Sequence, residues 1–133
     1  MTIDDEREAL AAFGRQIVET GFDYTISNWF ATFDGRMRFP GARDVEVAFQ
    51  ALSPEGQEFV RQLVVAVTDE AVSNTMWAIE RLPWITVLAT NELTGATTDL
   101  TAVSDGLSVD YVGWQESFAR HAAPPFEEAE PHG

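Results

Sequence analysis

Residues 53–82 read SPEGQEFVRQLVVAVTDEAVSNTMWAIERL, one uninterrupted helical pattern around which the rest of the chain has to be organised. Ser53 stands where an N-cap is needed. Pro54 follows at the first helical position, where its missing N–H does no harm, and Glu55 lies near the positive end of the dipole. The pattern runs to Leu82 and is stopped by Pro83. Its first half, Phe59 to Val67, is apolar nearly all round, which predicts burial in the centre of the fold. Its second half is two-faced: Val72, Thr75, Met76, Ile79 and Leu82 share one side, and Asp69, Glu70, Ser73, Asn74, Trp77 and Glu80 share the other.

Upstream, a first helix is predicted from Ile3 to Thr20, with Thr2 as N-cap, acids in the first turn and a buried stripe of Ile3, Leu10, Phe13 and Ile17. A second stripe follows at once in Phe22, Ile26, Trp29, Phe30 and Phe33. Its phase is rotated by about 120° from the first, which predicts a kink or restart at Gly21. Asp34-Gly35 ends that helix. Pro40-Gly41 then marks a turn within a local cluster of Arg36, Arg38 and Arg43. Asp44 to Leu52 reads as one short helix capped by Asp44 and burying Val45, Phe49 and Leu52.

Beyond Pro83 the character changes. Residues 84–90 (WITVLAT) form a β-branched run of strand length, a turn is predicted around Asn91 to Gly95, and 96–103 return as the partner strand. Ser104-Asp105-Gly106 fits two readings: a hairpin with Leu107, Val109 and Tyr111 inward, or a short helix capped by Ser104. Trp114 to His121 reads as helix, with Glu116 and Arg120 placed to pair. The expected fold is therefore helix-dominated α+β: N-terminal helices and one long central helix packed with a small antiparallel sheet or hairpin and a C-terminal helix. One globular domain is expected over residues 1–121. Residues 122–133, with Pro124-Pro125 and three glutamates, read as a disordered acidic tail, and there is no internal repeat.

Apolar residues make up 45% of the 133 and charged residues 23%, so the chain has the composition of a folded protein rather than a disordered one. Its cations are 8 arginines with no lysine, set against 22 acids, for a formal charge of −14. Phosphate backbones would be repelled over most of such a surface, which argues against nucleic acid as a partner and favours a basic protein. Absence of cysteine removes disulfides, thiolate nucleophiles and zinc-ribbon sites together. The acidic start, Asp4, Asp5, Glu6 and Glu8, is the opposite of a signal peptide, and no apolar run suits a membrane span, so a cytoplasmic location is expected.

Trp77 is the most unusual local feature, a large ring on the polar side of the long helix near Asp69, Ser73, Asn74 and Glu80. It reads either as a pocket wall or anchor for a basic partner, or as a ring covered by the helix of Trp114 with the acids at its rim. Acid pairs such as Asp69 with Glu80, or Asp105 with Asp110, have the residue types for acid–base hydrolysis, but 22 acids produce such pairs by chance. His121 and His132 stand eleven apart with no HExxH or DxDxDG pattern, so no metal and no cofactor is expected. No GxSxG, Walker A or GxGxxG occurs; His121 would be the base of any triad and reads instead as a cap on the last helical turn.

Residues 69–80 (DEAVSNTMWAIE), followed after the hairpin by Ser104-Asp105-Gly106-Leu107 and Gly113-Trp114, resemble a loosely defined group of small, uncharacterised bacterial proteins over about the C-terminal half of the chain. Some of these look like immunity partners of bacterial toxins. The resemblance implies a protein that binds and masks a toxin, and it assigns no catalytic residue. Three functions follow as expectations. The first is a cytoplasmic acidic protein-binding module, of immunity or inhibitor type, using Asp69, Ser73, Asn74, Trp77, Glu80, Asp105 and Trp114. The second is a small-ligand or hydrolytic domain with Asp69, Glu80 and Asp105 in a pocket beside the long helix. The third is a subunit that oligomerises through exposed aromatics, the oligomeric state being open.

Overall fold

The computed structural model describes residues 3–121. Thr2, the tail 122–133 and His132 lie outside them. The order of elements is α1 (Ile3–Gln16), a π-helix (Ile17–Tyr24), α2 (Thr25–Phe33), α3 (Ala42–Gln50), α4 (Pro54–Arg81), β1 (Leu88–Thr90), β2 (Thr97–Asp99), α5 (Leu100–Val103) and α6 (Leu107–Phe118). The fold is helix-dominated α+β, with one two-stranded antiparallel sheet and a C-terminal helix.

In place of a break at Gly21, α1 and α2 are joined by the π-helix as one continuous rod. The i→i+5 pattern turns the chain less per residue than an α-helix does, and so absorbs the change of phase between the two apolar stripes without interrupting the hydrogen bonding. Val18, Phe22 and Ile26, spaced by four and fully buried, become the spine of the core, with Leu10, Phe13 and Ile17 packed beside it. The rod ends as the Asp34-Gly35 pair implied. Gly35 adopts φ +77°, Arg36 N–H donates to the carbonyl of Ala31 at 2.8 Å and Gly35 N–H to that of Thr32 at 3.1 Å, a Schellman cap that needs a residue at ease in the left-handed region.

Helix α3 starts earlier than Asp44. Its N-cap is Gly41, at φ +89°, with Asp44 left in the first turn. Phe49 is its buried anchor, stacked on Phe33 with ring centroids 4.3 Å apart, while Val45 is only partly covered and Leu52 is exposed. Two of the three clustered arginines are paired with acids, Arg36 with Asp34 and Arg43 with Glu46.

Helix α4 runs to Arg81, with Leu82 as its C-cap, and Ser53 Oγ accepts from the N–H of Gly56 at 3.1 Å as an N-cap should. Val65 and Met76 enter the core and Val72 and Ile79 pack against it. The predicted burial of Phe59 to Val67 is not what the structure has: Phe59 is 60% exposed, Leu63 44% and Val67 56%.

The strands are shorter than expected. Only Leu88–Thr90 and Thr97–Asp99 pair, with Ala89 opposite Thr98. The β-branched run from Trp84 begins in a turn and lies outside the ladder until Leu88, and the returning segment turns into α5 at Leu100 because Asp99 caps it, accepting from the N–H groups of Thr101 (3.0 Å) and Ala102 (3.2 Å). After Gly106 the helical alternative holds, without Ser104 as its cap: Ser104 closes α5 and donates to Asp110. Helix α6 begins seven residues before Trp114. Leu107, Tyr111 and Trp114 are buried while Val109 is exposed, the spacing of a helix face rather than a strand.

Candidate functional site

Helix α6 lies along α4, and this contact decides where the candidate acids of α4 go. Asp69 accepts a hydrogen bond from Gln115 Nε2 at 2.7 Å, and Glu80 accepts one from the hydroxyl of Ser108. The two carboxylates therefore border the α4–α6 seam, each engaged by α6. Eleven residues along a helix place them about 16 Å apart, beyond the spacing of cooperating carboxylates in a hydrolase. Asp105 is exposed in the loop before α6, and Asp110 takes the Ser104 hydroxyl.

Trp77 is not covered by the helix of Trp114. It stands 50% exposed, with the guanidinium of Arg81 4.3 Å from its ring centroid. Its own chain thus supplies the cation that an incoming arginine would have to replace. Asn74 is exposed beside it and Ser73 is half-buried. Trp114 turns toward α1: it is buried, edge-on to Phe13 with centroids 5.8 Å apart, and lies directly over the backbone of Gly14. Of the seven candidate binding residues, the structure brings Ser73, Asn74 and Trp77 together on open surface, commits Asp69 and Glu80 to α6, and places Trp114 in the core.

A cleft of about 260 Å³ does lie beside the end of α4, bordered by Glu80, Pro83, Asp99, Thr101 and Gly106. Its Asp99 is not poised for proton transfer. The Thr101 hydroxyl that donates to Asp99 holds that carboxyl below its ordinary value, with the backbone N–H groups of Ala102 and Thr101 adding to the effect against a desolvation that raises it. An ionised, capped aspartate is a weak base and no acid near neutral pH. Among the described residues no three His, Asp or Glu side chains converge as a metal cluster.

His121 has a partner the sequence does not suggest. Its Nε2 lies 3.0 Å from Ser27 Oγ and its ring packs edge-on to Phe30. The pairing has the atoms of a nucleophile and base. Ser27, however, sits within α2, where the surrounding backbone N–H groups are consumed by the helix and none is left to form an oxyanion hole. The contact is better understood as a tether. Next to it the buried carboxylate of Asp23 accepts from Arg120 N–H with both oxygens (3.0 and 2.9 Å) and from His121 N–H (3.0 Å), pinning the chain where α6 ends.

An open apolar surface lies elsewhere, where α2 meets α4. Trp29 and Phe33 form one wall and floor, and Leu63, Val64, Val67 and Thr68 the other, around a groove of about 330 Å³. Thr68 is its one polar lining residue, and its hydroxyl already donates to the carbonyl of Val64. Phe59 extends the apolar line by one turn of α4, and Phe39 packs edge-on to Trp29 at the other wall. An apolar run on a long helix reads as core, which hides these residues from the sequence. The spacing of four in Phe59, Leu63 and Val67, with Glu55, Glu58 and Glu70 around it, was the available signal. No helix among the described residues is long and apolar enough to cross a membrane. In comparison with known proteins, no family model matches the chain, and no curated protein or solved structure is significantly similar to it.

Proposed function

We propose that the chain is an acidic protein-binding module, acting in the cytoplasm on a basic protein in the manner of an immunity or inhibitor protein. The observation that carries this reading is the open apolar line Phe59, Leu63 and Val67 on the helix that organises the fold. Single exposed apolar residues are ordinary, but a contiguous groove floored by aromatic rings is the kind of surface proteins bury in one another. The −14 charge supplies the second half of the argument: it speeds encounter with a cationic partner and opposes association with acidic ones. Asp69 and Glu80, about 16 Å apart along α4 and each engaged by α6, do not converge as a hydrolytic pair.

The test is capture of partners by the full chain at low and high salt, followed by purification of what is retained and measurement of its association rate. One basic protein, retained in equal molar amount and with an on-rate that falls as salt rises, is the expected result. Retention of nothing, or of a neutral or acidic protein, would remove the reading.

A further inference from the structure

We infer that the α2–α4 groove is the docking site for a single amphipathic helix of the partner, apolar along one face and basic along its flanks. This rests on the binding-module reading and names the structural class of the partner's binding element.

The shape of the groove restricts what can lie in it. Its walls are two helices, Trp29 and Phe33 on one and Leu63, Val64 and Val67 on the other. Its single hydroxyl is engaged by Val64, which leaves the indole N–H of Trp29 as the one other polar side-chain group of an otherwise hydrocarbon lining, a surface suited to apolar side chains rather than to a small polar ligand. From Phe59 to Val67 the open line is eight residues, about 12 Å, which matches two turns of a helix presenting side chains at i, i+3 or i+4 and i+7.

Charge then selects among helices. Glu55 lies one turn before Phe59 and Glu70 one turn after Val67, both exposed and continuing the same line of α4, whereas Glu58 turns into a separate cleft with Arg61 and His121. A second copy of this chain would bring the same acids against each other on two bodies that each carry −14. The chain's own residues 122–133 add Glu127, Glu128 and Glu130 and are repelled in the same way. A helix with lysine or arginine beside its apolar face meets both the groove and the acids.

Two synthetic helices of about 18 residues, five turns, with the same leucine stripe and either lysine or glutamate flanks, serve as probes of the full chain by fluorescence anisotropy. The leucine–lysine helix is expected to bind, the leucine–glutamate helix not, and Leu63→Glu to weaken the first by about tenfold or more. Leu63→Glu is informative because it adds a negative charge, so that Coulomb attraction alone would tighten binding. Phe59→Glu, at a still more exposed position, repeats the test should Leu63→Glu perturb folding. Equal or tighter binding by both variants would overturn the groove while leaving a basic partner in place. Binding of the leucine–glutamate helix would overturn the basic flank. A wild-type dimer that Leu63→Glu dissociates would give the groove to a second copy and overturn the inference as well. Loss of the basic partner in the capture experiment would instead remove the underlying reading.

Discussion

Replacing Gly14 by alanine should destabilise this protein, although the same change in the interior of an exposed helix normally stabilises. Gly14 is in the last third of α1 and is buried under the indole of Trp114. A Cβ built there would lie 2.5 Å from Cγ of Trp114 and nearer still to two other ring carbons. The ring is held in place by Phe13, edge-on at 5.8 Å, and by the burial of α6 against α1, so it cannot swing aside as a lysine tip would. Alanine gains about 1 kcal/mol of helix propensity over glycine. Overpacking a close-packed contact costs about 1–3 kcal/mol, and a rigid indole belongs at the upper end. The net expectation is a loss of about 1–2 kcal/mol, or a fall in Tm of about 3–8 °C. Urea unfolding of wild type, Gly14→Ala, Trp114→Phe and the double variant gives the coupling directly: alanine should cost less once the smaller ring is present, by about 1 kcal/mol or more. A Gly14→Ala protein as stable as wild type, with an additive double variant, would show that α6 does not lean on α1 through this contact.

Three further outcomes follow from single contacts. Asp23→Ala leaves the N–H groups of Arg120 and His121 without their carboxylate and should cost about 2 kcal/mol, because bonds to a charged acceptor are the stronger kind; amide exchange at those two residues should speed, and unchanged protection would refute the clamp. The hydroxyl of Tyr111 is buried facing the carboxylate of Asp69, outside ideal hydrogen-bond geometry, and burial first, then the negative charge and acceptor oxygen of Asp69, hold its phenol far above its ordinary ionisation range. Since the unfolded chain releases that proton near pH 10 and the folded chain does not, stability should fall as pH rises above about 10. Tyr111→Phe should abolish that part of the alkaline loss and change stability by less than about 1 kcal/mol at neutral pH, so a cost of about 2 kcal/mol or more would reveal a bond at the hydroxyl. Ser53→Ala removes the cap of α4 and should cost about 1 kcal/mol in thermal unfolding, with Ser53→Asp near wild type; equal stability of the alanine variant would mean that solvent replaces the cap.

Features set by neighbouring residues were legible in the sequence, and features set by distant contacts were not. The Ser53-Pro54 start, the Pro83 stop and the Asp34-Gly35 end each rest on local chemistry and stand where they were read. The slip in phase between Ile17 and Phe22 was visible, but whether a chain breaks or widens into a π-helix there depends on what packs against it. Leu107 and Tyr111 satisfy both a period of two and a period of four, and only the α4–α6 contact separates helix from strand. Asp69 and Glu80 looked like free acids around Trp77 because their partners, Gln115 and Ser108, are 46 and 28 residues away. Asp23 gave no signal, since nothing local marks an aspartate that will cap a segment nearly a hundred residues later.

The misreading of Phe59 to Val67 has a physical cause that also bears on function. Helix α4 has 28 residues and spans about 42 Å, whereas a compact domain of this length is only about 36 Å across. The chain cannot surround such a helix on every side, so a helix apolar all round must leave part of itself open. α6 covers one side, the α2 rod a second, and the side bearing Phe59, Leu63 and Val67 remains. An open apolar line would ordinarily drive self-association. Here it is set between acids on a molecule with a charge of −14, and on the proposed reading that charge opposes pairing with its own copies while favouring a cationic partner. That reading predicts that neutralising the two ends of the line with Glu55→Gln and Glu70→Gln together should both weaken a basic partner and raise the tendency of the protein to dimerise. Sedimentation at increasing concentration checks the second effect. A double variant that stays monomeric at every concentration where the wild type does would mean that charge is not what keeps this face free.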